Sequence, residues 1–213
     1  FENEKNYAAA TNNISVIDTL NKSVINGHYG EIFKAKDSAI ITRRALAINI
    51  VDQDSLYIHA DTLIATGPTE KRILRGYYDV RVFKTDLSGK SDSLHLDQST
   101  GLIKLHKLPL SRKENQILTT SQKSAKNPIL WFGKSQMSGD QIFLTSDMKT
   151  KKLDSLKILG NSWIIEKDSI SETGYNQIKG GLLDGLFKEG KLREIEVSKN
   201  TEVIYYMYSD EDN

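Results

Sequence analysis

Histidine side chains can bind metal ions, but the histidines of this sequence do not form a site. The four histidines, His28, His59, His95 and His106, follow no spacing that is typical of zinc ligands. A surface position on a strand or turn explains each of them better. The chain contains no cysteine, which excludes thiolate metal sites, thiol catalysis and disulfides together. We therefore predict neither a metal site nor a cofactor.

Aspartate–serine pairs are the second feature that invites a catalytic interpretation. They recur at Asp37-Ser38, Asp54-Ser55, Asp92-Ser93, Asp154-Ser155 and Asp168-Ser169. No nucleophile elbow surrounds them and no histidine accompanies them, whereas both residue types are favoured in turns. The glycines at 180, 181 and 185 have no following helix, so they do not form a phosphate loop. We predict that the protein is not an enzyme.

Short apolar runs carry the chain from one turn to the next. Their spacing of roughly ten residues is typical of an all-β sandwich, barrel or jelly roll. The expected strands cover residues 14–17, 23–25, 31–33, 38–42, 45–50, 55–59, 62–66, 73–78, 80–84, 91–97, 102–106, 129–132, 142–144, 151–158, 162–167, 177–179, 182–188, 191–198 and 202–208. Residues 1–11 fit either a frayed end or a first edge strand. The Asp-Ser pairs, with Ala60-Asp61 and Gly139-Asp140, then mark turn-to-strand junctions of a degenerate repeat.

The segment 127–146, NPILWFGKSQMSGDQIFLTS, shows this pattern on a small scale. Its runs 129–132 and 142–144 are short and β-rich, so we predict two neighbouring antiparallel strands. Ile142 and Leu144 should share one face of the second strand, since side chains alternate. Residues 138–140 should form a turn or bulge.

Length and charge set the remaining limits. The 213 residues are predicted to form a single domain, 1–213, with a polar surface-loop insertion at 110–126 that holds one short strand at 116–119. A net charge of +1 favours neither nucleic acid nor an anionic membrane. No apolar run is long enough to span a membrane as a helix. The start at Phe1 suggests a piece of a longer chain, and the acidic end 209–213 should be mobile.

Alternation along the strands predicts one wet face and one aliphatic face. The residues expected on the aliphatic face are Leu56, Ile58, Val80, Val82, Leu94, Leu96, Ile103, Leu105, Ile142, Leu144, Leu156, Ile158, Ile195 and Val197. Alternation alone favours an ordinary closed core, and an open groove for lipid is the alternative, because both require the same residues. The aromatic residues Trp131, Trp163, Tyr205, Tyr206 and Tyr208 fit sheet packing better than a glycan or headgroup platform.

Four longer phrases carry a family resemblance. They are SLYIHADTL (55–63), GYYDVRVFKTDLSGKSDSL (76–94), NPILWFGKSQMSGDQI (127–142) and IKGGLLDGLFKEGKLREIEV (178–197). Together they resemble the OstA-like proteins of Bacteroidetes, in the LptA/OstA group of lipopolysaccharide-transport proteins. The resemblance covers residues 27–208, and the segment 110–126 departs from it by its length.

The resemblance implies a twisted, open antiparallel β-jelly roll in the periplasm. Its aliphatic groove, lined by the fourteen residues above, would carry the acyl chains of lipopolysaccharide, and Lys and Arg at its rim would meet phosphates or sugars. Edge strands would pair with the jelly rolls of other transport components, or head to tail with a second copy, to form a bridge to the outer membrane. The alternative is a closed, non-lipid adaptor that mediates protein–protein contacts.

Overall fold

The computed structural model describes residues 6–50, 54–108 and 127–208. Within these ranges the chain forms fourteen β-strands and two single-turn 3-10 helices, Lys34–Lys36 and Thr69–Lys71. The strands pair antiparallel in one sheet, so the predicted all-β class is confirmed. No helix in the described ranges is long and apolar enough to cross a membrane.

The strands follow one another with few interruptions. They are β1 (Tyr7–Asp18), β2 (Ser23–Phe33), β3 (Ser38–Asn49), β4 (Leu56–Thr66), β5 (Ile73–Lys84), β6 (Leu87–Asp97), β7 (Leu102–His106), β8 (Ile129–Phe132), β9 (Ser135–Ser138), β10 (Gln141–Ser146), β11 (Leu153–Lys167), β12 (Tyr175–Lys188), β13 (Lys191–Ser198) and β14 (Glu202–Ile204). The pairing runs from β1 to β7 in chain order and then from β10 to β13. Strands β8 and β9 form a second connection between β6 and β11, and β14 pairs with β12.

The long strands are bent near their middles. In β1, β3, β5 and β11 the register shifts, and two consecutive residues stand opposite one residue of the next strand. Both residues of each pair have positive φ: Asn12-Asn13, Arg43-Arg44, Tyr78-Asp79 and Gly160-Asn161. Two successive left-handed residues redirect a strand sharply, as in a β-bulge. The bends therefore divide the sheet into two half-sheets.

Each half-sheet is a continuous antiparallel ladder. The first half-sheet comprises residues 7–11, 29–33, 38–42, 62–66, 73–77, 93–97, 102–106, 141–146, 153–159, 182–188 and 191–198. The second half-sheet comprises residues 14–18, 23–27, 45–49, 56–59, 80–84, 87–91, 129–132, 135–138, 162–167, 175–180 and 202–204.

The half-sheets face each other across one hydrophobic core. Phe132 of the second half-sheet meets Phe187 of the first in an edge-to-face contact, with ring centroids 5.1 Å apart. Residues from both ladders, such as Leu130 and Leu144, belong to the same buried cluster. Folding each long strand over at its bend thus buries the aliphatic face of the whole sheet.

The bends correct several predicted strand boundaries. The runs predicted at 38–42 and 45–50 are the two arms of β3, and the same holds within β2, β4, β5, β11 and β12. The predicted limits of β7, β8 and β13 are confirmed, as is the strand at 182–188, which lies within β12. The last strand ends at Ile204, earlier than predicted. Residues 7–11 belong to the edge strand β1.

The predicted pairing within 127–146 is wrong. The run 129–132 is β8, which pairs with β6 and β9, whereas the run 142–144 lies in β10, which pairs with β7 and β11. The extra strand β9 separates them, because SQMS has a weak apolar pattern yet pairs on both sides. Gly139 and Asp140 do interrupt the strands as predicted, and the Asp140 N–H donates to the carbonyl of Gly160 at 2.8 Å.

The Asp-Ser pairs do not share one structural setting. Asp37-Ser38 and Asp54-Ser55 precede strands as predicted, but Asp92-Ser93 lies within β6 and Asp168-Ser169 follows the end of β11. Ala60-Asp61 lies at the bend of β4 rather than at a turn. The predicted insertion at 110–126 with its strand at 116–119, and the acidic end 209–213, lie outside the described residues.

Candidate functional site

A cavity of about 390 Å³ opens between the two half-sheets at the end formed by the first strands. Its apolar wall consists of aliphatic side chains from β1 to β6: Val16, Ile25, Ile32, Ala39, Ala47, Ile58, Ala65, Leu74 and Leu96. Its size falls within the range of about 300–1,000 Å³ that is usual for small-molecule sites. An apolar ligand is the class that such a wall accepts.

Small inward residues create this cavity. Three alanines line it: Ala39 and Ala65, which are register partners on β3 and β4 in the first half-sheet, and Ala47 on β3 in the second half-sheet. Alanine fills far less space than leucine, so the half-sheets cannot meet where alanines oppose each other. The small apolar residues of these two strands therefore leave the space that the cavity occupies.

Polar groups surround the mouth of the cavity. The Asp18 carboxylate accepts hydrogen bonds from the Asn21 backbone and side chain at 3.1 and 2.9 Å, and it lies 3.7 Å from Arg72 Nε. Burial raises the pKa of the Asp18 carboxyl, but the Asn21 hydrogen bonds and the Arg72 charge outweigh it, so the pKa lies below its usual value. Arg72 also donates to the carbonyl of Asp37 at 3.2 Å. The mouth therefore holds fixed charges of both signs.

The middle of the molecule is closed. Large aliphatic side chains fill the interior there and are almost inaccessible to solvent: Leu94, Leu105, Leu130, Met137, Ile142, Leu144, Leu156 and Ile158.

A charged contact lies outside this packed interior. Lys84 of the second half-sheet donates to the Lys151 carbonyl at 3.4 Å and pairs with Asp54 at 3.3 Å. Burial raises the pKa of Asp54, but hydrogen bonds from Thr85 and the Lys84 charge lower it below its usual value.

A second opening lies at the far end, between the β8–β9 and β12–β13 turns. This depression of about 520 Å³ is lined by Phe132, Leu192 and Ile195 together with charged residues such as Glu166 and Arg193. It is more exposed and more polar in its lining than the cavity at the first strands. The interior thus opens at the end of the first strands, and the far end carries a surface depression.

The structure places all fourteen residues predicted for the aliphatic face in or against the core. Eleven of them are in the buried cluster, and Leu56, Ile195 and Val197 pack against it. Only Ile58 and Leu96 of this set line the 390 Å³ cavity. Whether any of them contacts lipid stays a prediction.

Residues of the first three strands were missed as site residues. Val16, Ile25, Ala39 and Ala47 line the cavity, whereas inward faces were predicted only from Leu56 onward. Their sequence signal is weak because each has an apolar neighbour, as Val16 has Ile17, so alternation does not separate the two faces. No sequence pattern around Arg72 or Asp18 predicts that these two side chains lie close together.

The residues with catalytic chemistry remain dispersed. His95 and His106 lie on adjacent strands of the first half-sheet, and burial, together with neighbouring cations, lowers the pKa of both imidazoles. Within the described ranges no group of three or more His, Asp and Glu is arranged to hold a metal ion. Trp131 donates to Gln136 at 2.8 Å on its own hairpin, and Tyr208 donates to Asp168 at 2.9 Å.

Comparisons with known proteins do not assign the chain to a family. No family model matches the chain, and no curated protein matches its sequence. The function is therefore argued from the cavity, the bends and the edges of the sheet.

Proposed function

We propose that this chain is a periplasmic lipopolysaccharide-binding and transport module with the open β-jelly-roll architecture of the LptA/OstA group. The observation that carries the proposal is the apolar cavity between the half-sheets, which opens to solvent beside charged residues. An amphiphile with acyl chains and an anionic head matches both parts. The quoted sequence phrases support the same class of cargo.

The physical need for such a module is simple. Exposing an acyl chain of about a dozen methylenes to water costs roughly 10 kcal/mol, at about 0.8 kcal/mol per methylene. A protein that moves such a lipid through an aqueous compartment must therefore cover the chains. Two half-sheets with facing aliphatic surfaces provide that cover, and they use no catalytic group.

The ends of the sheet support a role in assembly. Strand β1 at one end and strands β13 and β14 at the other have no further strand beside them within the described residues. Unpaired edges expose backbone donors and acceptors that another strand can take up. We propose that these edges pair with other lipopolysaccharide-transport jelly rolls or with a second copy of the chain.

One observation favours a second candidate function. The middle of the interior is packed, with Leu130, Met137 and Ile142 fully buried, as in a structural or adaptor protein that holds no lipid. In that case only the edges would act, through protein–protein contacts. On the lipid proposal, by contrast, the chains enter at the open end and the packed middle separates when cargo moves through.

Site-specific photo-crosslinking distinguishes the two candidates. A benzophenone amino acid is placed at Ile25 and Ala39, which line the cavity, and at their strand neighbours Asn26 and Ile40, which do not. Leu144 provides a third position in the packed middle. Each folded variant is irradiated with purified lipopolysaccharide and analysed by gel shift and immunoblot.

The lipid proposal predicts adducts at Ile25 and Ala39 and none at Asn26 and Ile40. An adduct at Leu144 would additionally mean that the middle opens to cargo. If the variants are folded and neither cavity position crosslinks, the lipid proposal is wrong and the adaptor function is favoured.

A further inference from the structure

Three basic side chains form a row across the outer face of the first half-sheet. Arg75, His95 and Lys104 lie on β5, β6 and β7, and the ladder places them directly opposite one another. His95 stands between the buried Leu94 and Leu96, and the other two alternate with inward residues in the same way. All three are partly exposed. The row is therefore accessible on the side of the sheet that faces away from the core.

None of these basic groups is neutralised by an ion pair. Within the described residues, Arg75, His95 and Lys104 make no salt bridge, whereas Lys157, further along the same row, pairs with Asp184 at 3.1 Å. Like charges that stand opposite one another on strands about 4.8 Å apart are destabilising. An anion bound between these groups would remove that repulsion.

Two contacts hold the ends of the row in place. Arg75 Nη1 donates to the Thr66 hydroxyl at 2.8 Å, and Lys104 Nζ lies 5.3 Å from the centroid of the Phe143 ring. A guanidinium has five N–H donors and an ammonium has three, so these contacts leave most donors unused. An anion centred above His95 therefore finds oriented donors on both sides.

The central imidazole is sensitive to the charges around it. Burial lowers the pKa of His95 most, the cations Arg75 on β5 and Lys104 on β7 lower it further, and Asp97 on its own strand opposes them. His106 on β7 is close enough to interact with it. His95 is thus mainly neutral at neutral pH, and an anion beside it would favour its protonated form.

We propose that Arg75, His95 and Lys104 form a binding site for a tetrahedral oxyanion of the phosphate monoester class. Arg75 and Lys104 would donate to the anion from two sides, and protonated His95 would donate from between them. A phosphate monoester has three terminal oxygens that can accept from three separate groups, whereas a carboxylate has two. This inference goes beyond the proposed lipid function, since none of the three residues lines the cavity.

The first test measures anion binding by the unmodified chain. Sulfate is the probe, because it stays a tetrahedral dianion at both pH 5 and pH 8, and sodium chloride at matched ionic strength is the control. Calorimetry should show about 10-fold tighter binding at pH 5, since protonated His95 adds one charge-assisted hydrogen bond. By linkage, the pKa of His95 measured by NMR should rise when sulfate is bound. Binding no stronger than that of chloride would overturn the site, and equal affinities at the two pH values would overturn the role of His95.

The second test assigns the binding to the row. Lys104→Gln should weaken sulfate binding about 5- to 10-fold, and His95→Asn should remove its pH dependence. The matched control is Lys157→Gln, which should keep the affinity because Lys157 is already paired with Asp184. Circular dichroism melts verify that the variants are folded. An equal loss in both lysine variants would mean that sulfate responds only to net charge, and the site would be overturned.

The third test identifies the source of the phosphate. Glycerol 3-phosphate represents soluble monoesters, and phosphatidylcholine vesicles that contain phosphatidic acid represent lipid headgroups. Binding of glycerol 3-phosphate that is weakened by Lys104→Gln supports a soluble ligand, and binding of the vesicles alone, weakened in the same way, supports a headgroup. If neither binds, the phosphate class is wrong.

Discussion

The first strands and the middle strands share one architecture and differ in the size of their inward residues. In β3 and β4 small residues line both half-sheets, with Ala39 and Ala65 on the first and Ala47 on the second, and they border a cavity of about 390 Å³. In β7 to β11 the same positions hold leucine, isoleucine and methionine, which are at most 5% exposed. Because both regions share one backbone architecture, the volume of the inward side chains determines whether the interior is open or closed.

The largest expected effect is on stability, when a single charge is introduced into each of the two regions. Leu144→Asp places a carboxylate among fully buried aliphatic residues, and an unpaired buried charge should cost more than about 4 kcal/mol. Ile32→Asp, at a cavity position that is 39% exposed, should cost less than about 1 kcal/mol and still abolish acyl-chain binding. Urea denaturation and displacement of a fluorescent fatty-acid probe measure the two effects. Similar losses of stability in both variants would mean that the two regions are equally closed.

Truncation gives a smaller version of the same contrast. Leu156→Ala removes a side chain that is 1% exposed and should destabilise the protein by about 2–5 kcal/mol. Ile32→Ala should cost about 1 kcal/mol or less, because its side chain already borders open space. Chemical denaturation with unchanged m-values checks both numbers. A costly Ile32→Ala would show that the cavity collapses around this residue in solution.

How far the sequence predicts this fold depends on the bends. The aliphatic positions from Leu56 to Ile158 were correctly expected on one face, because alternation survives along each arm of a strand. At the bends of β2 and β4 the inward positions change from one parity to the other, as from Ala60 to Leu63. A break of this kind is typical of a turn between strands, so single bent strands were predicted as pairs.

The residues that make the bends are only partly recognisable. Asn12-Asn13, Gly160-Asn161 and Asp79 are types that tolerate positive φ, but Arg43, Arg44 and Tyr78 are not typical of it. An aliphatic groove was predicted, but the position of the cavity and most residues of its lining were not, since they depend on which arms face each other. That information comes from packing across the half-sheets, and local pattern does not contain it.

Adding side-chain volume should cost more at a closed position of β4 than at the cavity wall of β3. Ala60→Leu adds volume at a position with no exposed surface and should destabilise the protein by about 1–3 kcal/mol. Ala39→Leu lies on the cavity wall, where the added methylenes bury apolar area and should change stability by less than about 1 kcal/mol. The same variant should weaken acyl-chain binding, which probe displacement measures. Destabilisation by Ala39→Leu as large as that by Ala60→Leu would argue against the cavity.

The smallest expected effect concerns acid and the mouth of the cavity. The folded pKa of Asp18 lies below its unfolded value of about 3.9, so the ionised carboxylate contributes stability that is present above pH 4 and is lost as the pH falls through the folded pKa. Asp18→Asn removes this contribution. The wild type should therefore exceed the variant in free energy of unfolding at pH 6, and the difference should shrink at pH 2.5. Because Asp18 and Arg72 are partly exposed and 3.7 Å apart, the difference should be small, and 0.5 M salt should reduce it further as Arg72 is screened. A difference that stays constant between pH 6 and pH 2.5 would show that the asparagine acts through packing, and the mouth would then hold its shape without the Asp18 charge.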